Sequence, residues 1–254
     1  MEKATTIIAL VGKGGVGKTS LSALIVRILA KAHPDKKILA IDADPAVGLA
    51  TALGVNVSST VDDIRKSFVS TAEEGNTSAA IELLGEARYQ MTDALVEMDN
   101  VSFLAIGRPE SAGCYCKVNA YLKEIISMIA SNFDYVVIDG EAGIEQVNRR
   151  VMEKVTHMIL VSDASRKGLQ VVQTIDKVAK ELVMYDKAGV IVNRMPDMSR
   201  VDELDTGDLK LLAVIPDDRE MSLNDMNGES VYALDENSAI LKGAEKALLE
   251  IGIK

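Results

Sequence analysis

The chain has 254 residues, 48% of them hydrophobic and 26% charged, a balance that can bury a large core and fits an α/β domain of this length. Asp and Glu outnumber Lys and Arg by 38 to 28, for a net charge of −10, whereas a non-specific nucleic-acid binder needs a basic face to neutralise phosphates. No apolar run approaches membrane-spanning length, and the N-terminal apolar segment runs into a glycine loop rather than a cleavage site. The expectation is a cytoplasmic chain forming one domain, 1–254, that engages neither membrane nor nucleic acid.

In chain order, the run Ile7–Val11 predicts a buried strand, and apolar Leu21, Leu24, Ile25, Ile28 and Leu29 predict one face of a helix from Ser20 to Ala32. Ile38–Ile41 is a second strand, ending in Asp42-Ala43-Asp44-Pro45. Residues Asn56 to Asn100 read as an irregular helical excursion, with helical patterns over Val61–Phe68 and Ala79–Met98 joined by the polar run Ser70–Ser78. Val101–Ile106 is a third strand, leading to the loop that carries Cys114 and Cys116. A helix over Asn119–Asn132 and a fourth strand, Asp134–Ile138, follow, the strand closing at Asp139. Strands at Met158–Val161, Gly189–Val192 and Leu211–Ile215 and helices at Gly168–Tyr185 and Ala239–Leu249 complete the pattern. Alternating apolar strands and amphipathic helices predict a mostly parallel sheet of seven or eight strands with helices on both faces. The loops after the strands then share the carboxyl rim, where open α/β sheets bind ligands.

The first of those loops reads Gly12-Lys13-Gly14-Gly15-Val16-Gly17-Lys18-Thr19. Strand, glycine loop and helix start in that order make a phosphate cradle: backbone N–H groups turn inward, the helix N-terminus favours an anion, Lys18 reaches the β- and γ-phosphates, and the Thr19 hydroxyl ligates magnesium. Ser20 completes the nucleotide set. Lys13 is extra to the general phosphate-loop pattern, and here the sequence resembles the deviant Walker A ATPases, the group of MinD, ParA, the nitrogenase iron protein and ArsA, whose signature GKGGVGKT stands unaltered. The resemblance implies a P-loop NTPase fold, hydrolysis of ATP to ADP, and a homodimer in which Lys13 crosses the interface to the partner's nucleotide. It also implies that Asp42 lies in the magnesium shell, that Asp44 positions the attacking water, and that Asp139 is the Walker B carboxylate. Gly143, in the second switch, would offer its N–H to the γ-phosphate. At Gly48 the chain departs from the iron-protein pattern, which has a further Asp there. Asn193 and Arg194, after the sixth strand, stand where phosphate-loop proteins read the base; Pro196 occupies the place of a guanine-reading Asp, which favours ATP. Pro216 and Asp217 would wall the adenine.

Cys114 and Cys116 are the only cysteines, one residue apart. Two thiolates at this spacing cannot complete a tetrahedral or square-planar site alone, but a symmetric dimer would bring four to its two-fold axis. Surface thiols and a strained disulfide are the plain alternatives. Gly113-Cys114-Tyr115-Cys116, with Asp-Gly-Glu-Ala-Gly-Ile-Glu from Asp139 to Glu145, is similar to the CooC-type maturation ATPases and the related AcsF branch. That resemblance implies a nucleotide- and metal-dependent dimer that binds Ni(II), or Zn(II) in its place, and serves a client such as carbon monoxide dehydrogenase or acetyl-CoA synthase. An iron–sulfur cluster between two such pairs is an open alternative, as is a spatial regulator of the MinD or ParA kind. The C-terminal helical stretch mixes Lys with Glu, lacks a basic face, and is expected to dock on the chain's own core. His33 and His157 are read as structural or surface residues.

Overall fold

The computed structural model describes residues 5–44, 46–73, 77–107, 116–140, 151, 154–182 and 185–253. Its frame is one eight-stranded sheet in the order β3-β4-β2-β5-β1-β6-β7-β8. The strands are β1 (Thr6–Gly12), β2 (Ile38–Asp42), β3 (Val96–Met98), β4 (Val101–Ala105), β5 (Tyr135–Asp139), β6 (His157–Ser162), β7 (Lys187–Met195) and β8 (Leu211–Pro216). All pairings are parallel except β3 with β4.

The apolar strands are continuous because both faces are covered. Successive residues of β1 alternate between two layers. Ile8 and Leu10 pack with α1 (Lys18–Ala32), α2 (Gly48–Leu53) and the C-terminal helix. Ala9 and Val11 belong to the opposite layer, with α3 (Val61–Glu73), α4 (Thr77–Asp93), α5 (Cys116–Ala130) and α6 (Arg166–Leu182). After β8 come α7 (Arg219–Asn227) and α8 (Ala239–Ile251). α8 buries Ile240, Leu241, Ala244, Ala247, Leu248 and Ile251 and packs on β8 and α1, so its apolar face is spent on the core. No helix among the described residues is long and apolar enough to cross a membrane.

Three expectations need correction. The helical pattern assigned to Ala79–Met98 stops at Asp93, and Val96–Met98 forms an antiparallel edge strand instead. A turn at Asp99 (φ 43°) and Asn100 returns the chain along β4, pairing Val96 with Phe103 and Met98 with Val101. The Asn100 side chain fixes that turn by donating to the carbonyls of Ala30, His33 and Lys36 at the end of α1. Second, the sixth predicted strand does not end at Val192. A register shift between Val192 and Met195, with Arg194 at φ 56°, carries β7 through to Met195, so Asn193 and Arg194 sit in a strand bulge rather than after the strand. Third, α3 continues past Phe68 to Glu73. His33 stacks on Tyr135 with ring centroids 5.2 Å apart, and His157 lies at the start of β6 with its pKa lowered, chiefly by burial.

The strand order reverses at β1. The chain first builds β2, β4 and β5 to one side, then β6, β7 and β8 to the other. A crevice therefore opens at the carboxyl end of β1, where the glycine loop begins.

Candidate functional site

The loop from Gly12 to Gly17 is fixed by its neighbours. Gly12 has φ 146°, and a Cβ there would collide with the Val161 carbonyl oxygen of β6, so only glycine lets β1 end this close to β6. Gly17 (φ 91°) caps α1, and a Cβ there would come within 2.7 Å of the Asn193 amide nitrogen. That amide donates to the Val16 carbonyl at 2.9 Å, and Arg194 Nη1 donates to the Gly15 carbonyl at 3.1 Å. The bulge in β7 thus braces the loop through these two side-chain bonds. Lys18, 8% exposed, lies across the loop with its ammonium donating to the carbonyls of Gly12 (3.3 Å) and Lys13 (3.1 Å). A buried cation over backbone N–H groups at a helix start is a site for a polyanion.

On one flank stand two carboxylates. Asp42 ends β2 and Asp139 ends β5, and the two are register partners on adjacent strands, both fully buried. Asp42 accepts the amides of Asp44 (3.1 Å) and Leu49 (2.9 Å), which folds the loop after β2 back over the strand end. Asp44 sits half-buried in that loop and accepts the Ala46 amide at 2.9 Å. Asp139 Oδ1 accepts the Ser22 hydroxyl at 3.0 Å, while its Oδ2 has no hydrogen-bond partner. Burial pushes the Asp42 carboxyl up to about 7, with the charge of Asp139 adding to the rise. Burial likewise raises Asp139 to about 6, although the Thr19 and Ser22 hydroxyls and the Lys18 ammonium pull the other way. Two adjacent carboxylates in a dry site, one oxygen of them unpartnered, with a threonine hydroxyl beside them, form an all-oxygen donor set. Such a set fits a hard divalent cation such as magnesium.

On the other flank, Lys13 pairs with Asp163, one residue beyond the end of β6. Neither Asp163 nor Ser22 is singled out by sequence motifs. Asp163 does share a signal with Asp42 and Asp139, being a carboxylate at the carboxyl end of a buried strand. Gly17, Ser20, Asn193, Arg194 and Asp217 line one groove beside the loop, and Pro216, which ends β8, directly precedes Asp217. The structure therefore brings Lys13, Lys18, Thr19, Ser20, Asp42, Asp44, Asp139, Asn193, Arg194 and Asp217 to one rim. Gly143 and Cys114 lie outside the described residues; Cys116 opens α5, but its side chain lies outside them too.

Comparison with known proteins places this geometry in context. Residues 4–187 match the family AAA_31, described as an AAA domain. The chain is 37% identical, over 94% of its length and 96% of the relative, to an uncharacterized ATP-binding protein of Methanocaldococcus jannaschii. It is 29% identical, over 89% of each chain, to the carbon monoxide dehydrogenase accessory protein CooC of Rhodospirillum rubrum. Among solved structures it resembles the septum site-determining protein MinD complexed with Mg-ADP from Pyrococcus horikoshii. That likeness has a TM-score of 0.68 at 23% identity and covers 98% of this chain and 96% of that one.

Proposed function

The chain belongs to the AAA_31 family of P-loop ATPases of the MinD and ParA kind, and from that premise we propose that it hydrolyses ATP to control a metal ion carried by Cys114 and Cys116. The single observation that carries the ATPase reading is the pair Asp42 and Asp139, two adjacent, fully buried carboxylates beside a phosphate cradle.

In this mechanism the amides from Gly14 to Ser20 receive the phosphates, and Lys18 exchanges the carbonyls of Gly12 and Lys13 for phosphate oxygens. Thr19, Asp42 and Asp139 would hold magnesium, which when bound offsets the phosphate charge. Asp44, on the loop that Asp42 folds back, orients the attacking water, and Gly143 gives its N–H to the γ-phosphate. Asn193 and Arg194 keep the loop in shape while they and Pro216–Asp217 border the base. Positioning and charge neutralisation supply most of the catalysis in phosphoryl transfer.

The finer part of the proposal is a dimer built from two copies of one ATPase domain, 1–254. ATP draws the two rims together, Lys13 reaches the partner's nucleotide, and the Cys114 and Cys116 pairs supply four thiolates to one Ni(II) or Zn(II) as cargo. Hydrolysis reopens the pair and releases the ion to a nickel enzyme such as carbon monoxide dehydrogenase or acetyl-CoA synthase. The CooC relative, whose name ties it to carbon monoxide dehydrogenase, supports this reading, as does the cysteine spacing.

Metal analysis combined with mass determination, with and without ATP, tests it. One Ni(II) per dimer is expected, lost in the Cys114→Ala/Cys116→Ala double variant while ATP binding remains. A double variant that keeps its nickel, or a wild-type chain that stays monomeric with ATP and Ni(II), overturns it. Visible absorption after anaerobic iron–sulfur reconstitution, lost in the same variant, would replace nickel by a cluster. ATP-dependent sedimentation with liposomes would replace metal delivery by spatial regulation.

A further inference from the structure

Lys13 and Asp163 are 150 residues apart in the chain and meet because of strand register. β1 and β6 run side by side with Gly12 opposite Val161, so the residue after Gly12 and the second residue after Val161 emerge together at the rim. Asp163 is held from behind. Its Oδ1 accepts the Ser165 amide (3.1 Å) and hydroxyl, and the Ser162 hydroxyl donates to its carbonyl at 2.9 Å, which leaves Oδ2 for the Lys13 ammonium. Burial pushes the Asp163 carboxyl up, but the bonds from Lys13 and Ser165 outweigh it and hold the group below the usual carboxylate range. The two side chains are 34% and 31% exposed, so the pair lies at the surface, within reach of a second molecule.

Hydrolysis within one subunit has no use for Asp163. It is an anion beside a loop built for a polyanion, and it occupies the one loop lysine that is not turned inward. A carboxylate so placed and so oriented works against nucleotide binding unless its purpose is to hold the lysine.

We propose that Asp163 is a positioning residue that parks Lys13 on its own subunit, so that the lysine reaches a partner's nucleotide only when this ion pair opens. The idea rests on the proposed role of Lys13 across the dimer. A triphosphate competes for the ammonium more strongly than a diphosphate, because it carries more charge at the contact. The latch therefore makes closure depend more steeply on the γ-phosphate. An exposed ion pair shifts an equilibrium by up to about fivefold, and a symmetric dimer contains two of them, so the latch weakens closure by up to about 25-fold.

Asp163→Asn keeps an oxygen for Ser165 and removes the charge. With magnesium and a saturating non-hydrolysable ATP analogue, sedimentation velocity should give a dimer constant tighter by up to about 25-fold in this variant, with a smaller preference for the analogue over ADP. In the nucleotide-free single subunit, amine-reactive labelling of Lys13, read by peptide mass spectrometry, should rise severalfold in Asp163→Asn and fall back in Asp163→Glu. Unchanged labelling overturns the latch, and so does a dimer constant equal to or weaker than that of a wild-type chain that dimerises; either result leaves the proposed function standing. A wild-type chain that remains monomeric with the analogue overturns both.

Discussion

The two flanks of the phosphate loop treat charge in opposite ways. Asp42 and Asp139 are fully buried and adjacent, so burial lifts their carboxyls to about 7 and about 6, a rise that Lys18 and the Thr19 and Ser22 hydroxyls offset only in part at Asp139. Lys13 and Asp163 are about one-third exposed and already balanced, and Asp163 falls below the ordinary range. A charge left uncompensated in a dry site costs several kcal/mol, whereas an exposed pair is worth about 1 kcal/mol or less. The first flank stores a demand for an ion. The second is a cheap contact that a competitor can displace. One side is built to bind firmly and the other to exchange.

The sharpest way to break this contrast is at Lys18, whose ammonium lowers the Asp139 carboxyl and crosses the loop between the flanks. Lys18→Met should cut ATP turnover by about 10²- to 10³-fold, the usual scale for losing a charged group aimed at the reacting phosphate. Steady-state phosphate release measures it; retained turnover would mean that the loop is not the reacting site. Titration of Asp139 in the metal-free variant should also move further up.

Asp139 tests the buried flank by itself. Its Oδ1 accepts the Ser22 hydroxyl, so Asp139→Asn can keep that bond while removing the charge. Asp42→Asn is a poorer probe, since Asp42 accepts two backbone amides and an Asn side chain has one acceptor oxygen. The sign follows from linkage. With folded values of about 7 and about 6 against 3.8, the native metal-free chain binds more protons than the unfolded chain through this window, so its stability falls as pH rises from about 4 to 7. Removing one carboxylate should flatten that slope and raise the melting temperature at pH 8 by several degrees in chelator, each kcal/mol being worth about 2–4 °C at this size. The same variant should lose about 10²-fold of its magnesium-dependent turnover. Thermal melts from pH 5 to 8 in chelator decide the matter: an unchanged slope would mean that the pair is not strained.

The sheet was readable wherever periodicity is local, and the structural reasons for the misses are specific. Seven of the eight strands stand out as apolar runs, because strands buried on both faces need no alternation. β3 is three residues long, and its valine continues the helical spacing of α4, so nothing local marks the change; pairing with Phe103 and Val101 decides it. The phosphate loop is contiguous and speaks for itself. Asp163 is not contiguous with anything it serves, and a strand-end Asp reads equally well as a turn residue. Its meaning appears only when β6 is set beside β1. Asn193 shows the same limit, since its bond to Val16 spans 177 positions.

That bond allows the smallest and most discriminating test. If the flanks differ because the loop between them is rigid, loosening the loop should blur both without abolishing either. Asn193→Ala removes the donor to the buried Val16 carbonyl and leaves Arg194 as the remaining brace from β7. A lost buried hydrogen bond costs about 1 kcal/mol, so ATP affinity should fall by about fivefold and the melting temperature by about 2–4 °C. The rate at saturating ATP should change less than the affinity, because Lys18 and the carboxylates keep their own supports in α1, β2 and β5. Titration calorimetry with an ATP analogue and saturation kinetics separate the two. If the rate falls with affinity unchanged, Asn193 acts on the reacting phosphate and not through the loop, and the bulge in β7 belongs to the catalytic flank.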